Sequence, residues 1–320
     1  MKAHYLYQAG KLLSLTALLC LPIKMVAAQD EFDEHREQTN KEFREFKEGK
    51  RKPVAPASAA EVKPAEVQPV EVKPVVAQPK AEPVKESVAT GGNAGQVISD
   101  CRECPEMVVI PAGSFNMGSN DYAPEKPVHH VTFAHAFAIG KTEVTQGQWA
   151  AVMGHNPAYS PQGPNFPVQG VSWRDAQDFI KKLNQKTGKQ YRLPSEAEWE
   201  YTCRAGGAHK YCGSDDGESV AWYDANSNNR HHPVAQNKAN AFGLYDMSGN
   251  VSEWVEDRYH ENYEGAPTDG GVWADNDAER VYRGGSFAQD TSALRATDRL
   301  SKEPGERDRS RGFRLVRMLP

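Results

Sequence analysis

The chain has 320 residues, of which 38 are Lys or Arg and 43 are Asp or Glu, and its formal net charge at pH 7 is −5. This small negative charge argues against the basic footprint of a nucleic-acid-binding protein and against a polybasic patch for anionic membranes. The length could hold two domains, but all 6 tryptophans lie beyond residue 100. Because large rings build cores, we expect one sizeable domain, at residues 100–320, behind a long leader.

Residues 1–28 have the pattern of a secretory signal peptide. Lys2 and Lys11 precede an apolar run over residues 12–23, and small residues at 26–28 supply a cleavage site. The run is too short for a transmembrane span, so we expect export to the periplasm or the cell exterior, with no span after cleavage. An uncleaved membrane anchor is the alternative.

Two segments of distinct composition follow the leader. Residues 29–52 are strongly charged with few large apolar side chains, which predicts a solvated or partner-dependent helix. Residues 53–99 are rich in Pro, Val, Lys and Glu and repeat phrases such as Glu-Val-Lys-Pro. Regularly placed prolines favour extended polyproline II, so this segment is expected to be a semi-stiff linker.

The expected domain begins with predicted strands and continues with predicted helices. Apolar runs at residues 107–110, 131–133 and 137–139 are typical of buried strands. Three helix starts follow, each with a hydroxyl residue and, three positions later, a Glu, Gln or Asp that completes a capping box. These pairs are Thr145 with Gln148, Ser172 with Asp175, and Ser195 with Glu198. On the apolar sides of these helices lie Trp149, Phe179 and Trp199, which favours core packing.

Cysteines are available to cross-link the domain, whose half after residue 203 is dense in loops. With Cys20 removed in the signal peptide, Cys101, Cys104, Cys203 and Cys212 remain, an even number that is compatible with two disulfides. Cys101 and Cys104 are either a redox pair or a local structural disulfide, and the lack of a thioredoxin-like context favours the disulfide. No second CxxC completes a zinc site.

Histidine pairs and late charged residues are weak candidates for chemistry. Adjacent residues of a strand point to opposite faces, so His129-His130 and His231-His232 are expected to be surface histidines rather than chelators. Towards the end of the chain arginines alternate with acids, and most are expected to form solvated ion pairs of little energetic weight. They are Arg295, Arg299, Arg307 and Arg309, with Asp290, Asp298, Glu306 and Asp308.

Three blocks in the last third of the chain are its most informative feature. They are residues 243–254 (GLYDMSGNVSEW), 283–287 (RGGSF) and 311–315 (RGFRL). In this order they resemble the formylglycine-generating enzyme family, also called the sulfatase-modifying factor family. The resemblance implies a loop-rich α+β fold, a variant of the C-type-lectin-like domain.

The resemblance also implies a loss of chemistry. The family's oxidases hold copper with two cysteines after the Gly-Gly-Ser element, and the matching positions here are Gln289 and Leu294. Ser286, which in the family helps to form the oxygen pocket, is retained, whereas Ser252 stands where many members carry Trp. Because Cu(I) needs soft thiolates, neither copper nor formylglycine formation is expected, and the pocket near Ser286 is predicted to be degenerate.

One family disulfide cannot form in its usual way. Cys203 matches a family cysteine, but the position of that cysteine's usual partner is Leu315 in this chain. Cys203 therefore pairs differently or stays free, and Cys212 is the nearest candidate.

A structural calcium site is a further expectation that the resemblance carries. The positions that match the family's calcium ligands are Asp246 and Glu253, which would ligate through their side chains, and Gly249 and Val251, which would ligate through backbone oxygens. Calcium takes such oxygen ligands from irregular loops. Asn226 and the Ser227 carbonyl would belong to a second site whose other ligands cannot be placed. The alternative is a turn held by hydrogen bonds of Asp246 and a buried Glu253.

These expectations favour an exported binding or accessory module for another protein or peptide of the cell envelope, without copper-cysteine oxidase activity. One alternative is an oxidoreductase of the same fold that uses a different site. Another is a lectin-type domain that binds proteins or glycans through its C-terminal segment. No nucleophilic elbow, phosphate-binding Gly loop or Rossmann fingerprint occurs in a suitable context, and fold alone does not decide among these functions.

Overall fold

The computed structural model describes residues 94–275 and 279–320. The expected signal peptide, the charged segment and nearly all of the expected linker lie outside these residues. The first described strand, Val97–Ile98, precedes residue 100, so the paired chain begins slightly before the expected domain start. Among the described residues, no helix combines the length and the apolar composition that crossing a membrane requires.

The described chain contains eleven strands and three α-helices, joined by long irregular segments, and is therefore α+β and loop-rich, as predicted. The strands are β1 (Val97–Ile98), β2 (Met107–Ile110), β3 (Gly113–Met117), β4 (His129–Phe133), β5 (Phe137–Gly140), β6 (Tyr191–Arg192), β7 (Ser252–Arg258), β8 (Arg280–Arg283), β9 (Arg299–Lys302), β10 (Arg311–Phe313) and β11 (Val316–Arg317). The helices are α1 (Gln146–Met153), α2 (Trp173–Thr187) and α3 (Glu196–Arg204).

All three predicted capping boxes are confirmed. Thr145, Ser172 and Ser195 each accept a hydrogen bond from the backbone amide three residues on, and each returning side chain accepts from the cap amide. The sequence located these helix starts because a capping box is made within four consecutive residues. Gly154 and Gly188, in the left-handed conformation, end α1 and α2.

A five-stranded sheet of order β1-β2-β5-β11-β6 separates two apolar clusters. Every residue of β2 is buried, and successive side chains go to opposite sides: Val108 and Ile110 join one cluster, Met107 and Val109 the other. Helices α1 and α2 cover the second cluster, where the rings of Trp149 and Phe179 stack with centroids 5.2 Å apart. The first cluster contains Trp199 of α3.

A four-stranded sheet of order β10-β7-β8-β9 carries the three motif blocks. Strands β10 and β7 are parallel, with Phe313 opposite Trp254, and the other pairs are antiparallel. Gly284 and Gly285 follow β8 with φ of 91° and 65°. A Cβ on Gly284 would lie 2.9 Å from the Met247 carbonyl oxygen, so this turn requires glycine.

Helix α3 and the four-stranded sheet are joined by buried ion pairs. Arg283 donates to Glu196 at 2.6 Å and to Glu200 at 2.7 Å, and Arg299 donates to Glu196 at 2.6 Å. Most of the late charged residues were expected to form solvated ion pairs, and Arg299 is an exception, because its side chain is 1% exposed. Burial opposes ionisation of Glu196, but the charges of Arg299 and Arg283 lower its pKa to about 2.

Arg299→Met is expected to lower the free energy of unfolding by about 3–5 kcal/mol, because it leaves part of the Glu196 charge buried without a partner. The matched control is Arg307→Met, since Arg307 pairs with Asp175 on the surface and such pairs contribute about 0–1 kcal/mol. Urea unfolding of the full chain measures both. Equal losses for the two variants would contradict the role of the buried pair.

Candidate functional site

The segment after the double-glycine turn folds back on itself through Ser286. The Ser286 side chain is buried, and its Oγ donates to Gln289 Oε1 at 3.0 Å. The backbone amide of Gln289 donates to the Ser286 carbonyl at 3.1 Å, which closes a turn. Gln289 therefore offers an amide, hydrogen-bonded to the retained serine, at the first position where the family's oxidases have a copper ligand.

Leu294, at the second of these positions, belongs to the core. Its side chain is fully buried in a small apolar cluster, with Tyr211, Val220, Ala221 and Tyr223. Its carbonyl accepts a hydrogen bond from Ser248 Oγ at 2.9 Å. The side chain at position 294 is thus part of the packing beneath the site, and it has no atom that ligates a metal.

Every cysteine of the described chain is in a disulfide. Cys101 pairs with Cys104, as predicted, and Cys203 pairs with Cys212. The second bond settles the alternatives left open for Cys203. Leu315, where the usual partner of that cysteine would lie, is buried in the core.

His231 lies beneath the loops beside this segment. The prediction that it is a surface residue is wrong, since it is 2% exposed. Its ring contacts Phe166 at 5.7 Å and Phe287 at 5.9 Å between centroids. Burial, with a further contribution from the neighbouring His232, lowers the pKa of His231 to about 4, so the ring is neutral at pH 7. In contrast, the other predicted pair lies on β4, and His130 there is exposed.

Arg309 of the last loop lies at the outer rim of this region. Arg309 lies over the Phe287 ring at 5.4 Å and donates to Asn229 Oδ1 at 2.9 Å. Ser252 donates to the Ser310 carbonyl at 3.1 Å, so it ties the same loop to β7. Arg309 is exposed and Asn229 is exposed, so the rim offers a guanidinium to solvent.

Asp246 occupies an unusual environment in the expected calcium loop. It is 3% exposed, and its Oδ2 accepts a hydrogen bond from the Ala235 amide at 2.7 Å. Its Oδ1 is buried with no hydrogen-bond partner. Burial raises the pKa of Asp246 to about 6. An orphaned, buried carboxylate oxygen is what a cation-binding loop would retain, so Asp246 fits calcium.

Glu253 is held by protein groups. Arg314 donates to both of its oxygens at 2.6 Å, and the Trp199 indole nitrogen donates at 2.8 Å. A carboxylate has about four lone-pair positions, so one remains for a cation. The buried Glu143 anchors the same loop by accepting from the Val251 amide at 2.9 Å. Glu143, Asp246 and Glu253 thus face a single Arg314, and the carboxylates outnumber the buried arginine.

The remaining expected ligands lie in tight turns. Gly249 has φ of 78° and donates its amide to the Gly284 carbonyl at 2.8 Å. Asn226 hydrogen bonds within its own turn, to the Tyr223 amide at 2.9 Å and the Ala221 carbonyl at 3.0 Å. Within the described chain, no group of three His, Cys, Asp or Glu side chains is arranged to hold a metal ion. A calcium shell built partly from backbone oxygens does not need such a group.

Sequence reasoning missed Glu143 and Arg314 as parts of this site. Glu143 stands two residues before the α1 cap, where nothing in its neighbourhood predicts burial, and it is 108 residues from the amide it binds. Arg314 lies in the RGFRL block and pairs with Glu253 of another block. The only signal in the sequence for the Arg314–Glu253 pair was that residues of opposite charge lie in separate motif blocks.

Comparison with known proteins gives one family. The family described as "Sulfatase-modifying factor enzyme 1-like domain" matches residues 93–319. "Chaperone protein LppX" of Paenibacillus barcinonensis is 30% identical over 287 residues, which cover 72% of this chain and 92% of that protein. The "Formylglycine-generating enzyme" of Mus musculus is 30% identical over 291 residues, 66% of this chain and 74% of that enzyme. The structure of PvdO from Pseudomonas aeruginosa has a TM-score of 0.66 and 37% identity, and it covers 71% of this chain and 100% of PvdO.

His231→Gln is expected to change how stability depends on pH. The pKa of His231 is lower when folded, about 4, than when unfolded, about 6.5, so the unfolded state binds more protons between these values. The wild-type free energy of unfolding should therefore fall by about 2–3 kcal/mol between pH 6.5 and pH 4 through this residue, and the variant should lose that slope. Urea unfolding at a series of pH values measures it, with the exposed His135→Gln as control. An unchanged slope in His231→Gln would contradict the buried neutral ring.

Proposed function

This chain belongs to the family of sulfatase-modifying factor enzyme 1-like domains, and we propose that it is an exported binding or accessory module without copper-cysteine oxidase activity. The observation that carries the proposal is the state of the two positions after Ser286. Gln289 is an amide in a turn, and Leu294 is a core residue. Cu(I) in this chemistry is held by thiolates, and neither side chain supplies sulfur.

The disulfides support the same proposal. A relocated copper site would need two free thiols, yet the four cysteines of the described chain are paired as Cys101–Cys104 and Cys203–Cys212. The turn that shapes the family's pocket is kept, whereas its reactive groups are not. Retention of shape without ligands suits a domain that binds a partner rather than oxidises it.

The proposed partner is a protein or peptide of the cell envelope. The leader pattern of residues 1–28 supports export, and the Pro-rich repeats beyond it supply a spacer between the domain and a surface. A relative that this chain matches over 92% of the relative's length carries the name chaperone, which supports an accessory role. The rim around Phe287, with Arg309 and Asn229 exposed above it, is the proposed contact surface.

Calcium is proposed as a structural ion of the 246–253 loop. Asp246 would contribute its unpaired oxygen and Glu253 its remaining lone pair, with backbone oxygens of Gly249 and Val251. The ion would offset the excess of buried carboxylates there. Its role is to hold the loop that ends beneath the double-glycine turn.

The full chain, supplied with Cu(I), oxygen, a reductant and a sulfatase-type cysteine peptide, is expected to form no aldehyde above a protein-free control. The matched variant is Gln289→Cys with Leu294→Cys, which restores the missing sulfur and is expected to gain Cu(I) affinity in a chelator competition. Aldehyde formation by the wild type that disappears in Cys101→Ser with Cys104→Ser would overturn the proposal and identify an oxidase with a relocated site.

A separate crosslinking experiment tests the accessory role. A photo-crosslinking residue at Asn229, on the rim, should give a discrete adduct with an envelope protein in the producing cell. The same residue at the exposed Lys189, at the end of α2, is the control and should give none. Identical adduct patterns at the two positions would count against the rim as a contact surface.

Calcium saturation is expected to raise the stability of the wild type, by about 2.7 kcal/mol when free calcium is a hundredfold above Kd. The melting temperature should rise by several degrees, and Asp246→Ala should lower it and abolish the calcium response. Asp290→Ala, an exposed aspartate in its own turn, is the control. A wild-type melting curve that does not change on chelation would favour the hydrogen-bonded turn.

A further inference from the structure

The four-stranded sheet carries an arginine that the proposed function does not use. Arg311 begins β10, and its guanidinium lies over two aromatic rings, at 4.1 Å from the Tyr282 centroid and 4.7 Å from that of Trp254. The two rings fix the guanidinium by cation–π contact. Its edge carries the N–H donors that recognise planar anions.

Two nitrogens of the Arg311 guanidinium lack partners although the side chain is buried. Arg311 is 4% exposed, and its Nε and Nη1 are buried without a hydrogen bond. The arginines buried against α3 and β7 differ: Arg299 and Arg314 each reach a carboxylate at 2.6 Å. A buried guanidinium is normally saturated with acceptors, so the open donors of Arg311 indicate an absent acceptor.

A carboxylate of the chain stands close to Arg311 without binding it well. Glu306 Oε1 is 3.7 Å from Arg311 Nη1, and Glu306 Oε2 is 3.9 Å from Lys302 Nζ. Both distances exceed that of a hydrogen bond. Glu306 is 40% exposed, so Arg311 and Lys302 share one loosely held acid.

We propose that Arg311 anchors a carboxylate-binding site, which takes a Glu or Asp side chain of a partner polypeptide in place of Glu306. A planar carboxylate matches the edge of a guanidinium fixed by aromatic rings. Tyr282, against which the guanidinium lies, and Leu300, which is opposite Tyr282 on β9, are partly exposed and give apolar surface for the methylene groups of such a side chain. Glu306 fills the position until the partner displaces it.

This inference goes beyond the proposed function, because it assigns a ligand to residues other than the Ser286 segment and holds whether or not oxidase activity is lost. It also makes opposite predictions for two neighbouring residues. Removing Arg311 removes the anchor, whereas removing the Glu306 charge removes the competitor. A purely structural role for both residues would not produce opposite effects on ligand affinity.

The probe is a blocked five-residue peptide with two glutamates, titrated into the full chain while the arginine Nε–H signals are followed by NMR. Its matched counterpart has glutamine in both places, and inorganic phosphate is a third titrant. The glutamate peptide is expected to shift the Arg311 signal, which is assigned from its loss in Arg311→Lys. The glutamine peptide is expected to leave it unchanged.

Arg311→Lys is expected to weaken binding of the glutamate peptide at least about tenfold, because a lysine ammonium has no planar fork. Glu306→Gln, at a partly exposed position, is expected to strengthen it about threefold or more, and Arg307→Lys is the neutral control. Should Arg311→Lys unfold, the gain in Glu306→Gln still tests the site. Equal shifts from both peptides, tighter binding of phosphate than of the glutamate peptide, or weaker binding in Glu306→Gln would each overturn the proposal.

Discussion

The structure depends on pairing buried arginines with buried glutamates. Glu196 and Glu200 of α3 receive Arg283 and Arg299 from the four-stranded sheet, and Glu253 of β7 receives Arg314. A charge taken out of water is costly unless it is paired and hydrogen-bonded, so each of these contacts fixes a relative position rather than merely adding attraction. A fold with short strands and long loops has few other means of holding its parts in register.

The same constraint shapes the site. Trp199 of α3 and Arg314 both donate to Glu253, so the helix, the 246–253 loop and the RGFRL block meet at one carboxylate. The 246–253 loop then supports the Gly284–Gly285 turn through the Gly249 amide. Electrostatic pairing at the centre of the domain thereby determines where Ser286 stands.

The segment after the double-glycine turn is held by the hydrogen bond between Ser286 and Gln289, and Leu294 is packed against two tyrosines. Core packing at Leu294 stabilises the segment and removes its capacity to hold a soft metal. The Cys203–Cys212 disulfide closes a short local link instead of reaching the C-terminal strand, where Leu315 fills the core.

The sequence by itself determined the local features: the helix starts, the buried strands, the Cys101–Cys104 bond and the identity of the family. Each depends on residues close together in the chain or on motif blocks that can be read directly, as Ser195 and Glu198 are. Tertiary structure alone decided which polar groups are buried. Arg299 and Arg307 look alike in sequence, but Arg299 meets Glu196 from 103 residues away in the interior, and Arg307 meets Asp175 at the surface. His231 was likewise misassigned, because its burial comes from Phe166 and Phe287, on segments far from it in the chain. Burial depends on the packing of distant segments, and a local pattern carries no information about that packing.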